Sequence, residues 1–593
     1  MENKAIARTL RLLSQLMELH NENPFKIKSV AKAAFKVDKL PFAIKEKSLE
    51  EIGQIDGLGK SISGKVWELL QTGTMTDLQT ILTNTPEGIV EMLGIKGIGP
   101  KKIAVIWKDL AIENIGELYY ACNENRLIEA KGFGLKTQDE IRKIIEFKMA
   151  AEGKFLYTQA EPLVNKLFED LSVWLNQVDQ TALLGVGGEY RRCLEIIEEI
   201  ELVLGAENIE QVAAGLASFE PLEFKPLGSE PLEFEQLGSE LLEFKQLEFS
   251  PLGSEQLEFQ AQGAIIFEAR TPFGLKVRLQ LVSKADFYLS FFKLTGSPSH
   301  VEQVLALAGE GKYESEHDIY AKAGLAYVEP ELREGLDEVA LAKSNTLPVL
   351  ITYDDLKGSL HNHSTWSDGV NTLEEMALYC KDHLQLEYLG MCDHSKSAFY
   401  ANGLNEQRIY AQHKEIDELN SRLAPFKIFK GIESDILYDG SLDYPEEILK
   451  TFDFVVASVH SILRMDEEKA TSRLVTAIEN PYTTILGHPT GRLLLSRKGY
   501  PIDYKKVIDA CAANNVVIEI NANPLRLDLD WRWHRYALEK GVLLSINPDA
   551  HRVEGHHDMR YGVLIGRKGG LQATQCLNAF SLQDISQYFH NKK

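Results

Sequence analysis

The segment HNHSTWSDG (361–369) carries two histidines one residue apart, with an aspartate close behind. At a strand end, His361 and His363 point to one side, and with the Asp368 carboxylate they form a ligand set suited to Mn²⁺, Zn²⁺ or Fe. The spacing does not choose among these metals. Residues of the same kind recur downstream: His394 in CDHS, Glu433 in GIESDI, His460 in ASVHS, His488 in LGHP and Asp549-x-His551 in NPDAH. A single buried histidine is ordinarily a core residue with its hydrogen bonds met. Nine His, Asp and Glu residues ending successive apolar segments predict instead a multinuclear metal site. Clustered divalent ions acidify a bridging water and neutralise phosphate oxygens, which is the chemistry of phosphoester hydrolysis. Arg492 in HPTGR and Lys396 beside His394 are either phosphate-steadying cations or surface charges. Asp393, Asp435, His556 and His557 are expected to support ligands or to lie at the surface.

The elements that must position these residues are short apolar strands alternating with helices from about Asp355 onward. They include LEYLGMCDH, FKIFKGIESDI, DFVVASVH, TTILGHP, NVVIEINAN and VLLSINPDAH. The candidate ligands sit at the C-terminal ends of these strands, the face on which α/β barrels build active sites.

The first 150 residues read differently. ARTLRLLSQLMELH and KVWELLQTG repeat apolar residues at three-to-four spacing, a helical pattern. Three glycine turns, GLGK (57–60), GIKGIGPKK (94–102) and KGFGLK (131–136), join helical stretches. Such turns expose backbone N–H groups at a helix N-terminus, which grip phosphate without reading sequence. GLG and GIG make helix–hairpin–helix elements, with Gly57, Gly59, Lys60, Lys65, Gly97, Gly99, Lys101 and Lys102 as expected DNA contacts. The third turn is either another such element or a plain connection.

A second carboxylate group lies in GEYRRCLEIIEEIELV (188–203), where Glu199-Ile200-Glu201 puts two carboxylates on one side of a strand. They are either a metal pair or the wet face of a half-buried strand. Nearby, PLEFKPLGSE (221–230), PLEFEQLGSE (231–240) and degraded copies form an acidic decamer repeat. Its period is too short for a helical solenoid, so it reads as a low-complexity insertion between strands ending near Leu204 and beginning in GAIIFEAR. Its charge should repel DNA phosphates within a Debye length, roughly 8 Å at physiological salt.

Length and composition set outer bounds. The 593 residues exceed one core and imply several domains. The formal charge of −23 is not spread evenly, and so does not by itself argue against nucleic acid. The six cysteines show no CxxC pair, which fits a reducing cytoplasm and argues against a thiolate zinc site. Neither a long apolar run nor an apolar leader is present, so membrane insertion and secretion are not expected.

NPFKIKSVAKAA (23–34) with IDGLGKSISGKVWELLQTG (55–73) resembles the N-terminal small domain of family X DNA polymerases. In relatives with 5′-deoxyribose phosphate lyase activity a lysine in this segment forms a Schiff base. Lys65 is the matching position and could equally contact phosphate. The family's palm signature is Gly-Ser-x-Arg-Arg, then Asp-x-Asp seven residues on, with a third aspartate on a later strand. Here the positions read Gly188-Glu189-Tyr190-Arg191-Arg192, Glu199-Ile200-Glu201, and Arg278 in KVRLQLV.

Mg²⁺ needs near-ideal octahedral oxygens at about 2.0–2.1 Å. Each glutamate adds a methylene, Glu189 puts an anion where nucleotide phosphate should bind, and Arg278 is a permanent cation where metals need an anion. The nucleotide-pocket segment is altered as well, reading Lys293-Leu294-Thr295-Gly296-Ser297 and His300-Val301. Mg²⁺ at the palm is therefore not expected. With Arg192, this group reads as a degenerate polymerase site.

The C-terminal array resembles the polymerase and histidinol phosphatase (PHP) domain, a distorted seven-stranded α/β barrel with a trinuclear centre. The resemblance implies that His361, His363, Glu433 and Asp549 hold one metal, and that Glu433, His460 and His488 hold the second. Asp368, His394 and His551 would hold the third.

The implied architecture is a helical small domain (1–85), a fingers-like helix–hairpin–helix region (86–150) and an α+β nucleotidyltransferase-like palm (151–290, with the repeat at about 219–260). A thumb-like region (291–340), a linker (341–354) and the PHP barrel (355–593) follow. The function it implies is that of a bacterial, cytoplasmic, nucleoid-associated repair protein acting on gapped, nicked or primer–template DNA. The PHP domain would hydrolyse as a 3′–5′ exonuclease, with abasic-site endonuclease or 3′-phosphatase action also open. The catalytic group would be His361, His363, Glu433 and Asp549, with Arg492. An active gap-filling polymerase with PHP proofreading and a phosphatase of small phosphomonoesters are the alternatives.

Overall fold

The structure, a computed structural model, describes residues 1–592 apart from 96, 129, 151–152, 217–249, 252–263 and 272–273. The decamer repeat lies outside the described residues except for Ser250–Pro251. The chain divides into two compact units, Met1–Glu146 and Phe147–Lys593.

The first unit is helical. Its opening helix, Asn3–Leu19, buries Ile6, Leu10, Leu13 and Leu16, the three-to-four spacing read from the sequence. The helix Pro24–Asp38 starts at Asn23, whose side chain accepts from the Phe25 N–H, with Pro24 at the first helical position. Each of the three glycine turns begins with a left-handed glycine: φ is +89° at Gly57, +92° at Gly97 and +89° at Gly132. The helices Lys60–Thr72 and Pro100–Ala104 follow the first two turns, and Leu135–Ala150 follows the third.

In the second unit, β1 (Phe155–Leu156) and β3 (Ile196–Ile197) form a two-stranded ribbon. A mixed sheet in the order β2-β4-β7-β6-β5 comprises β2 (Leu183–Val186), β4 (Glu199–Ala206), β5 (Ser250–Pro251), β6 (Ile265–Arg270) and β7 (Lys276–Ser283). Strand β4 pairs parallel with β7 and antiparallel with β2. One face packs Ile200, Leu202 and Leu204 against Leu167, Leu171 and Leu175 of the helix Tyr157–Val178. The helix Ile209–Leu216 follows β4, ahead of the repeat. The expected palm–thumb boundary at 290/291 falls inside the helix Phe287–Thr295.

The C-terminal barrel has seven parallel strands in sequential order: β8 (Gly358–Ser359), β9 (Tyr388–Met391), β10 (Lys427–Asp435), β11 (Phe454–Ser458), β12 (Ile485–Leu486), β13 (Val517–Asn521) and β14 (Leu544–Asn547). A bridge between Asn362 and Ala550 draws the two edges together just beyond β8 and β14. The strands are buried except at Lys427 and Lys430 of β10, as expected for a parallel sheet covered on both faces.

Capping residues end several loops at the ligand-bearing rim. Thr372, Asn405, Asp466 and Asp503 each accept a backbone N–H of the helix they start. Phe454 fills the space beside Gly390 and Gly431 and stacks on Phe589 of the C-terminal helix Leu582–Lys592. Among the described residues no helix is long and apolar enough to cross a membrane.

Candidate metal centre

Strand direction brings the nine ligand candidates together. Glu433, near the end of β10 and 1% exposed, stands among five histidines. Its Oε1 lies 3.0 Å from His488 Nε2, 3.1 Å from His460 Nε2 and 3.3 Å from His361 Nε2. Its Oε2 lies 2.8 Å from His394 Nδ1 and 3.7 Å from His363 Nε2. Asp549 Oδ1 is 3.0 Å from His363 Nε2 and 3.6 Å from His361 Nε2. Asp368 Oδ1 is 3.4 Å from His551 Nε2 and 3.6 Å from His394 Nε2.

Among the described residues of the barrel, three groups have donor atoms close enough to share an ion: His363, Asp368, His394 and His551; His361, His363 and Glu433; and His394, Glu433 and His460. His363 thus joins two groups, where the resemblance implied one.

The donors fit divalent cations. His361 Nδ1 is 2.7 Å from Glu519 Oε1, His460 Nδ1 meets Asp435, and His551 Nδ1 is 3.0 Å from the Asp549 carbonyl. Donating these Nδ1–H bonds outward leaves the Nε2 lone pairs turned inward, as ligation requires. Both Asp368 oxygens and His361 Nε2 are buried without a hydrogen bond of normal geometry. Burial, joined by the charges of His551 and His394, lowers His363 to about 3 and keeps it a neutral donor. Burial also opposes charge on His361 and His460, yet the facing carboxylates, Glu519 foremost for His361 and Glu433 for His460, drive both well above their ordinary value. The cavity calls for positive charge, which protons or metal ions can supply.

Several supports were not legible as a motif. Glu519, inside β13, accepts from the His488 N–H at 2.7 Å and from Asn547 Nδ2 at 3.0 Å besides holding His361. Asn521 Nδ2 donates to Asp549 Oδ2 at 3.1 Å, and Arg526 Nε lies 3.9 Å from the same oxygen. The one available signal for Glu519 was a carboxylate inside the apolar run VVIEIN, which only a buried partner explains.

Among the polar neighbours anticipated, Asp393 accepts from Ser364 N at 2.8 Å and from Ser367 N at 3.1 Å, which steadies the loop carrying Asp368. Asp435 holds His460. His556 instead meets Cys380 Sγ at 3.3 Å, and His557 meets the Tyr379 hydroxyl at 2.7 Å, outside the cluster.

Arg492 corrects an expectation. Its guanidinium donates to the Arg526 carbonyl at 2.9 Å, to Asp530 at 2.7 Å and to the Leu527 carbonyl, so it ties down a loop rather than facing a phosphate. Lys396 pairs with Glu406 at 2.9 Å.

At the palm, the register sets Arg278 of β7 opposite Glu201 of β4 on one side and Glu268 of β6 on the other. Its guanidinium lies 3.5 Å from Glu199 and 3.2 Å from Glu268. Gly188 has φ +63°, which favours glycine, and a Cβ there would fall 2.1 Å from Glu201 Oε2 and displace this carboxylate. Burial and then the Glu199 charge raise Glu201 to about 7. Arg191 is bound by Glu316 at 2.6 and 3.0 Å, and Arg192 by Glu334 at 3.0 Å and the Thr295 carbonyl at 2.8 Å. Glu189 accepts from the Glu198 N–H at 3.0 Å. Cations that could receive a triphosphate are thus joined to the protein's own acids.

In the helical unit, Gly59 and Gly99 cap their helices with φ −65° and −92° and offer no side-chain hydrogen bond to the helix N–H groups. A Cβ at either would meet nothing within 4 Å. Neither backbone conformation nor internal packing excludes a side chain there, so the N–H groups at these helix starts are open to close approach from outside. Gly134 in the third turn is equally open. Lys65 pairs with Asp77. Lys60, Lys101 and Lys102 occupy the first turns of the two helices.

A helix-hairpin-helix domain family matches residues 1–75. The chain is similar to the DNA polymerase/3′-5′ exonuclease PolX of Bacillus subtilis, at 32% identity over 606 aligned residues covering 99% of each chain. Shorter matches are to probable phosphatases. One, from Thermoanaerobacter, is 30% identical over 185 residues, or 30% of this chain and 73% of that protein. Another, from Acetivibrio thermocellus, is 32% identical over 203 residues, or 32% and 78%.

Proposed function

The chain belongs to the family X DNA polymerases that carry a C-terminal PHP domain, and we propose that this member is a DNA repair nuclease whose PHP barrel hydrolyses phosphodiesters from the 3′ end. The observation that carries the reading is the convergence of nine imidazole and carboxylate side chains about Glu433 at the C-terminal rim of the barrel.

His361, His363, Asp368, His394, Glu433, His460, His488, Asp549 and His551 would hold three divalent ions. Bound there, such ions would supply an acidified water and positive charge for phosphate oxygens. The chain's own part is orientation. Glu519, Asp435 and the Asp549 carbonyl fix the imidazole tautomers. Asn521 and Arg526 steady Asp549, and Asp393 holds the loop bearing Asp368.

The helix–hairpin–helix turns would bind the DNA backbone through Gly57, Gly59, Gly97 and Gly99 and the lysines beside them. The palm would serve as a DNA-binding platform without polymerase activity. Support for that comes from Arg278 among Glu199, Glu201 and Glu268, and from the internal pairing of Arg191 and Arg192.

An active gap-filling polymerase is the second reading, favoured by the name of the Bacillus relative. One experiment separates them: 5′-labelled primed DNA incubated with Mn²⁺, with and without nucleotides. The proposal expects shortening of the primer, lost in His361→Ala, and no extension. Extension that is lost in a Glu199→Gln, Glu201→Gln variant would establish the second reading, and no shortening would refute the first.

A further inference from the structure

Three large apolar side chains stand exposed on consecutive loops around the metal centre. Phe399 (80% exposed) follows His394 beyond β9, Tyr438 (52%) follows Glu433 beyond β10, and Ile462 (56%) follows His460 beyond β11. All three lie at the ligand-bearing end of the barrel, on loops after neighbouring strands. Next to Phe399, the Tyr400 ring lies 6.5 Å from the His394 ring.

Single exposed apolar residues are common. These are set apart by how firmly the structure holds them out. Arg408 donates to the Asn402 carbonyl at 2.6 Å, to the Gly403 carbonyl at 3.2 Å and to the Trp366 carbonyl, joining the loops after β8 and β9. Arg473, fully buried, donates to the Leu437 carbonyl at 2.9 Å, to Ser461 at 3.0 Å, to Ile462 at 3.3 Å and to Ile436. It joins the loops after β10 and β11 in the same way.

Ile462 is also strained. A β-branched residue at φ +54° is an outlier, and here the strained residue is solvent-exposed. Strain of this kind gathers at functional sites, where something other than folding repays it. Lys469 lies 4.2 Å from the Tyr438 ring centroid and adds a cation to the same rim.

We propose that Phe399, Tyr438 and Ile462 form a pre-organised platform on which the bases of a DNA strand stack while its backbone lies at the metal centre. This rests on the nuclease reading above. Continuity with the metal centre selects the occupant, because a strand whose phosphodiester reaches the cluster must lay its bases on the surrounding rim. The flat rings of Phe399 and Tyr438 accept any base, with Ile462 adding an apolar edge beside them, so the platform binds without reading sequence, and Lys469 offers charge to the backbone.

The test compares two 5′-labelled single strands, one ordinary and one carrying abasic sites at its last three positions. Wild-type protein should degrade the base-bearing strand about tenfold faster or more. Phe399→Ala with Tyr438→Ala, and separately Ile462→Gly, should collapse that ratio towards one while bound metal per chain stays at the wild-type value. Ile462→Gly should also raise the Tm, because glycine accepts the left-handed backbone. A binding readout needs no hydrolysis: 2-aminopurine at the 3′ end should lose fluorescence on binding wild-type protein in EDTA, and much less on binding the double variant.

An unchanged ratio in the variants, or an equal loss on both strands, would overturn the proposal and leave the rim as a backbone or protein contact. If no strand is degraded at all, the nuclease reading fails, and the 2-aminopurine signal still decides the platform.

Discussion

Glu201 is the most perturbed carboxylate of the palm. Its carboxyl is raised from 4.5 to about 7, by burial first and by Glu199 second. The folded chain therefore holds a proton on it that the unfolded chain has released between about pH 4.5 and 7, so stability falls as pH rises through that window. Glu201→Gln should raise stability by roughly 2–3 kcal/mol at pH 8 and by almost nothing at pH 4, read from denaturation at the two pH values. A palm that bound Mg²⁺ would behave otherwise, since added Mg²⁺ would hold Glu201 ionised and erase the pH dependence. At the barrel, Glu519→Gln keeps the shape of the side chain but removes the charge behind His361 and His488. Metal affinity, measured by competition with a chelator, should fall by about 10–100-fold.

The hairpins are the informative elements. Gly57 and Gly59 are two residues apart and are glycine for different reasons. Gly57 has φ +89°, so alanine there strains the backbone and should cost about 1 kcal/mol of stability. Gly59 has φ −65° and open space around its missing Cβ. Gly59→Ala should leave the Tm in place and weaken DNA binding, measured by fluorescence anisotropy at low salt. Gly134→Ala applies the same measurement to the third turn, which shares the left-handed first glycine. Unaltered affinity would make that turn a plain connection. The hairpin repeat was readable because a two-glycine turn is local. The different backbone and surroundings of the two glycines were visible only in φ and the space about them.

Across the larger unit, charged side chains bind the palm and thumb to the barrel. Glu195 accepts from Trp531 Nε1 at 3.2 Å and from Arg532 at 3.0 Å. Lys568, 3% exposed, donates to the Arg192 carbonyl at 3.0 Å and to Glu334, and Arg567 pairs with Glu331 at 2.7 Å. Arg560 and the Tyr561 hydroxyl reach Glu161 at 2.9 and 2.7 Å. Replacing buried Lys568 with methionine leaves polar partners without their cation. Calorimetry should show the melting of residues 147–593 as one transition in the wild-type chain, split into two by Lys568→Met combined with Glu195→Ala. The palm arginine Arg192 is part of this seam. Arg192 therefore has a structural role here, through Glu334 and the Lys568 contact to its carbonyl.

The sequence by itself determined which residues could ligate metal, the alternation of strand and helix that gathers them, the glycine hairpins and the carboxylate pair Glu199 and Glu201 on one strand. Each is written in residue type and short-range spacing, and the backbone periods of strand and helix carry that spacing directly into space. Only the tertiary structure decided that His363 joins two groups, that Arg492 ties down a loop, and that Glu519, Arg408 and Arg473 hold the site in shape. His361 and Glu519 are 158 positions apart, and Arg473 reaches four carbonyls on two loops. Contacts of that kind follow from closing a parallel sheet into a barrel, which brings distant strand ends together and leaves no periodic mark in the chain.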